Sequence, residues 1–267
     1  MMAKRIRSRS VTRPEPEDVS SSAPQHDLNV ATIRVVGIGA SAGGLDAFIE
    51  LLSALPVRTG LAFVLIQHLD PRHHSMLVDI LAGATTIPVQ EVVDGLRIER
   101  DHIYVIPPDT QMTIQDYVLH LTPRTPKVPH RPLDTFFSSL AADRKSDAIG
   151  VVLSGNDADG ALGLQAVHDA GGITFAQSPE SAKFDVMPRA GAAAADFILP
   201  PAGIADRLAS IARRDRSQND EVHPPAEAAE FERVHRLLRA HHSVDFSHFK
   251  RSSVERRILR RDRKSVV

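Results

Sequence analysis

IRVVGIGASAGGLDAFIELLSAL occupies residues 33–55, and three patterns meet in it. Ile33 to Gly39 is an apolar, β-branched run suited to a buried strand. Leu45, Phe48, Ile49, Leu51, Leu52 and Leu55 recur at helical spacing. Between them lies a turn of small residues, Gly37 to Gly44, which lets a strand fold back tightly into a helix.

The same alternation continues outward to about Arg214. Leu61 to Ile66 is a second continuous apolar strand, and Met76 to Leu81 suggests a helix. Val89 to Val93 and His102 to Ile106 read as strands. Met112 to Ile114 and Val118 to Leu121 alternate around Gln115-Asp116-Tyr117, as in a hairpin. Leu133 to Ala142 is helical, with Asp134 as helix-start chemistry. Ala148 to Leu153 is a buried strand, followed by a Gly-flanked turn and a helix over Ala161 to Ala170. Ile173 to Ala176 and Phe197 to Leu199 are further strands, and Ala202 to Ala212 a final helix. Continuous apolar strands alternating with amphipathic helices predict an α/β fold. The expected sheet is doubly wound and mostly parallel, with helices on both faces.

Domain boundaries follow from composition. Residues 1–30 mix Arg, Ser, Pro and acids without apolar periodicity and read as a disordered tail. Residues 31–214 form the α/β domain, and the polar stretch 215–227 is a linker. Residues 228–267 form a small basic helical segment. The chain of 267 residues has no Cys, which excludes a disulfide framework, a thiolate zinc site and a cysteine nucleophile. A net charge of −1 gives no global pull toward nucleic acid or membrane, and 4% aromatics with no Trp argue against base-stacking platforms. No apolar run approaches the ~20 residues of a membrane helix, so a cytoplasmic protein is expected.

The first turn has three readings of equal weight. Gly39-Ala40-Ser41-Ala42-Gly43 is G-x-S-x-G, a nucleophile elbow. Gly37-x-Gly39-x-x-Ala42 is a relaxed dinucleotide fingerprint. A plain tight turn is the third. A dinucleotide site wants an acid at the next strand end, where this chain has Gln67-His68-Leu69-Asp70. His68 there could meet Ser41. The turn after the 148–153 strand adds Asp159, either a helix cap or an acid that orients an imidazole. Ser, His and Asp at three strand ends are the set a serine nucleophile needs. The His73-His74, His241-His242 and His248 groups lack the spacing of a metal set.

At these residues the chain resembles a known family. GIGASAGG with Ser41, QH with His68, LSGNDADG with Asp159, and AQSPESAKFD running into FDVMPR resemble the catalytic domain of CheB-type protein-glutamate methylesterases. The resemblance spans about Ile33 to Ala212. It implies hydrolysis of glutamate γ-methyl esters on chemoreceptor signalling helices, deamidation of receptor glutamines, and no cofactor or metal. It makes Ser41 the nucleophile, His68 the base and Asp159 the orienting acid. Ala42 and Gly43 would supply oxyanion N–H groups, and Asn156, Met187 and Arg189 would line the site. Protonation of His68 would then lower activity at low pH. The loop departs from the family at Asn156, where Met or Thr is common, and at Asp157, where Gly is usual. Asp157 is also a second candidate for the acid.

Family members often carry a phospho-receiver domain. Residues 1–30 are too short for one, so relief of inhibition by phosphorylation is not expected, although a histidine kinase or response-regulator pathway remains a possible partner. Residues from Phe231 onward resemble the opening helices of CheR-type methyltransferases, without enough chain for an S-adenosylmethionine domain. Their Arg-rich run reads otherwise as a solvated helix face, or as a polyanion patch ranking below it. A nucleotide-binding oxidoreductase and a catalytically silent signalling adaptor are the rival functions.

Overall fold

The computed structural model describes residues 33–67, 76–125 and 129–220. The 1–30 tail, His68 to Asp70, His73-His74 and the 228–267 segment lie outside the described residues.

Strand β1 (Val35–Ala40) is buried along its whole length. It pairs in parallel with β2 (Ala62–Gln67) on one side and β8 (Ala148–Val152) on the other. Four further strands complete the sheet: β3 (Val89–Glu91), β5 (His102–Val105), β9 (Ile173–Gln177) and β10 (Phe197–Leu199). The seven-stranded order is β10-β9-β8-β1-β2-β5-β3, and every pairing is parallel. The expected doubly wound sheet is therefore present.

Alternate residues of each strand point to opposite faces, and each face has its own apolar layer. Val36, Ile38, Phe63, Leu65 and Val151 meet helices α1 (Gly44–Ser53), α2 (Leu77–Ala84) and α6 (Pro201–Asp220). Val35, Val64, Ile66 and Val152 meet α3 (Pro132–Arg144), α4 (Ala161–Asp169) and Met187 of α5 (Val186–Gly191).

Gly37 and Gly39 lie inside β1. A Cβ at Gly37 would come within 2.9 Å of the Phe137 ring, and one at Gly39 within 2.2 Å of Leu133 Cδ2. Their work is to let α3 lie directly on the strand. The turn proper is Ser41-Ala42-Gly43. A dinucleotide fingerprint needs its glycines in the turn, so this placement removes the support for that reading.

A second, three-stranded antiparallel sheet joins β4 (Leu96–Arg97), β7 (Val118–Pro123) and β6 (Thr110–Gln115). The β6–β7 hairpin turns on Asp116 and Tyr117, with φ of 49° and 65°, the positive values a two-residue hairpin turn requires. Helix α3 holds it: Asp143 accepts the Asp116 N–H at 2.8 Å, Ser139 Oγ accepts the Ile114 N–H at 3.1 Å, and Arg144 stacks 3.7 Å over Tyr117.

Two differences from the sequence reading stand out. β4 was not foreseen, because two residues are too short for any alternation to show. Helix α6 runs to Asp220, into the stretch read as a linker from Asp215: the Pro pair that ends the pattern comes only at Pro224-Pro225, and polar residues alone do not stop a helix. Among the described residues no helix is long and apolar enough to cross a membrane.

Tyr104 is fully buried, and its hydroxyl accepts the Glu99 N–H at 2.7 Å. Burial pushes the phenol above its ordinary value, outweighing that hydrogen bond. Above pH ~10 the unfolded chain loses this proton while the folded chain keeps it, so stability falls as pH rises. Urea midpoints are expected to drop above that pH, and to drop less steeply in Tyr104→Phe. Parallel curves for the two proteins would refute this.

Candidate active site

The carboxyl ends of β2, β1 and β8 lie side by side at the centre of the sheet. The chain winds away from β1 in opposite directions through β2 and β8, which makes the β1–β8 boundary the switch point where open α/β sheets place ligands. Ser41 follows β1 directly. Its N–H donates to Ser154 O at 3.0 Å, and its carbonyl accepts the Gly44 N–H at 2.9 Å, which closes the elbow. β2 ends at Gln67, paired in register with Ala40. His68 follows Gln67 in the chain and lies outside the described residues.

Gly43 caps α1 in the left-handed region at φ 69°. No other residue fits there: a Cβ would meet Lys183 Cβ and Ser154 Oγ, each at 2.9 Å. The N–H groups of Ala42 and Gly43 find no acceptor among the described residues. Two unused donors at a helix start, beside a serine, suit a developing anion.

Asp159 sits in the loop after β8 and is 5% exposed. Its Oδ2 accepts the Leu133 N–H and its Oδ1 the Asp134 N–H, both at 3.0 Å. Helix α3 has no side-chain cap of its own, so Asp159 provides one from a distant loop. Each carboxylate oxygen can accept two bonds, which leaves capacity for an imidazole. Arg131 braces the loop. Its Nη2 donates to Ala158 O at 3.1 Å and pairs with Asp134 at 2.6 Å, and its Nε lies 3.8 Å from Asp159 Oδ1.

Asp157 accepts the Asp159 N–H at 2.9 Å, and its φ is not positive. The departure from Gly therefore needs no left-handed backbone. It adds an Asx brace to the Asp159 backbone.

The remaining candidates are spread around this centre. Asn156 is exposed on the loop. Met187 is 1% exposed and packs beneath Gly155, with its N–H donating to Gly155 O at 3.0 Å. Arg189 is largely exposed and pairs with Asp185 at 2.6 Å. Sequence reasoning missed Arg131, Ser154 and Gln177. Arg131-Pro132 at a helix start was the available signal for the first. Ser154 and Gln177 lie within the LSGNDADG and AQSPESAKFD motifs, but their partners are distant in sequence, so the motifs did not reveal what they do.

Comparison with known proteins decides the family. A CheB methylesterase family profile matches residues 36–208. The chain belongs to the CheB methylesterase family. It is 36% identical over 188 residues to protein-glutamate methylesterase/protein-glutamine glutaminase 2 of Burkholderia pseudomallei (strain 1710b), covering 69% of this chain and 55% of that protein. It is 37% identical over 213 residues to an uncharacterized 104.1 kDa protein of Rhodobacter capsulatus, covering 69% of this chain and 22% of that one. The chain thus spans about half the first relative and under a quarter of the second. The CheB methylesterase catalytic domain of Thermotoga maritima superposes with a TM-score of 0.62 at 26% identity, covering 67% of this chain and 99% of that structure.

Proposed function

We propose that this protein is a serine hydrolase that removes methyl groups from glutamate γ-methyl esters, and deamidates glutamines, on chemoreceptor signalling helices. The observation that carries the reading is the Ser41 elbow at the switch point, with two unused N–H donors beside it and the braced Asp159 on the adjoining strand end. Ser41 Oγ attacks the side-chain carbonyl while His68 takes its proton. The N–H groups of Ala42 and Gly43 hold the oxyanion, and Asp159 fixes the imidazole. His68 returns the proton to the leaving methanol, or to ammonia from a glutamine. Water activated by His68 then cleaves the acyl-enzyme and regenerates Ser41.

In this reading residues 31–214 are the catalytic domain, working in the cytoplasm within a histidine kinase or response-regulator pathway. Residues 1–30 are a tail and 215–227 a connector. Residues 228–267 correspond to the opening helices of a CheR-type methyltransferase, on the sequence likeness alone. A fluorophosphonate probe should label wild-type protein at Ser41, mapped by peptide mass spectrometry, and methylated receptor should release methanol. Absence of labelling together with absence of methanol favours the silent adaptor.

A further inference from the structure

Ser154 is 1% exposed and makes hydrogen bonds in four directions. Its carbonyl accepts the Ser41 N–H at 3.0 Å, and its N–H donates to Gln177 Oε1 at 2.8 Å. Gln177 is itself buried and donates through Nε2 to Ser181 O at 3.0 Å. Ser154 Oγ accepts the Phe184 N–H at 3.0 Å. Its hydroxyl proton has two carbonyls in reach, Ala42 O at 2.9 Å and Phe184 O at 3.3 Å, and the shorter contact is to the elbow.

The contact with Ala42 O bears on catalysis. In a trans peptide the C=O and the following N–H point in opposite directions. Holding Ala42 O inward against Ser154 therefore turns the Gly43 N–H outward, where no acceptor among the described residues takes it. A rotation of this peptide changes ψ of residue 42 and φ of residue 43. Position 43 is glycine, which adopts either sign of φ at little steric cost, so the backbone alone does not hold the orientation. Something outside the turn must do so, and the described structure supplies one hydroxyl.

We propose that Ser154, supported by Gln177, is a positioning residue that sets the Ala42–Gly43 peptide so that its N–H faces the oxyanion of the acyl-transfer step. The inference rests on the hydrolase reading above. It predicts a defect confined to the transition state, since the ground-state carbonyl draws less on this donor.

The test uses the full chain with a glutamyl peptide γ-methyl ester and the matching thionoester, whose C=S carbon chain is identical but whose sulfur accepts hydrogen bonds poorly. Ser154→Ala is expected to lower kcat on the oxygen ester about 10- to 100-fold, with KM little changed. The thionoester should lose much less, so the oxygen-to-sulfur rate ratio falls. Ser154→Thr keeps the hydroxyl and should restore that ratio. If Ser154→Ala does not fold, Ser154→Cys, a weaker donor of similar shape, provides the same readout. Equal losses on both esters, or none, would overturn the proposal. Wild-type protein that turns over neither ester would instead overturn the hydrolase reading beneath it.

Discussion

Replacing Ser41 with alanine is expected to cut methanol release from a glutamyl methyl ester by about 10⁴- to 10⁶-fold, the range over which serine hydrolases lose turnover when the nucleophile is removed. The fold should survive. The elbow is closed by backbone groups, the Ser41 N–H on Ser154 O and the Gly44 N–H on Ser41 O, and alanine keeps both. The position that calls for glycine is residue 43, where a positive φ coincides with no room for a Cβ. Thermal melting of Ser41→Ala should therefore match wild type, while fluorophosphonate labelling disappears. Retained turnover in a folded Ser41→Ala protein would move the chemistry elsewhere.

Asp159→Asn is expected to injure the protein twice. In the proposed role of orienting the imidazole, its loss should lower kcat about 10⁴-fold. As the cap of α3, its loss should also lower stability. The carboxylate receives two backbone N–H groups, one on each oxygen, at 3.0 Å each. An amide offers a single oxygen and turns an NH₂ group against the other N–H. Leaving one buried donor unmatched costs about 1–3 kcal/mol. Urea titration and steady-state kinetics on the same variant separate the two effects. Lost stability with full turnover would make Asp159 a cap and nothing more. Lost turnover at unchanged stability would show that the α3 contacts contribute little.

Much of the architecture was legible because parallel, doubly covered strands must be apolar along their length. Val35–Ala40, Ala62–Gln67 and Ala148–Val152 declare themselves in that way, and the three strand ends that carry Ser41, His68 and Asp159 are neighbours in the sheet. Periodicity says what is buried but not by what. Gly37 and Gly39 looked like turn residues for a phosphate, and only the approach of Leu133 and Phe137 reveals them as space left for a helix. The same limit hid Ser154. Its bond to Ala42 O joins residues 112 positions apart, and a serine after a buried strand carries no local mark of such a partner. Asp157 shows the reverse case. It reads as a defect in a glycine position, yet its carboxylate finds the Asp159 N–H two residues on.

The missing side chain at Gly39 ties together parts of the molecule that a diagram of the site would draw separately. Leu133 rests in the space it leaves, and the amide of that same leucine is gripped by the Asp159 carboxylate. A methyl group added in the middle of a fully interior strand would press on Leu133 and, through that residue's own backbone nitrogen, tug the acid off its station. Fine adjustment of the Asp159 carboxylate is thus vested in a position sealed from solvent.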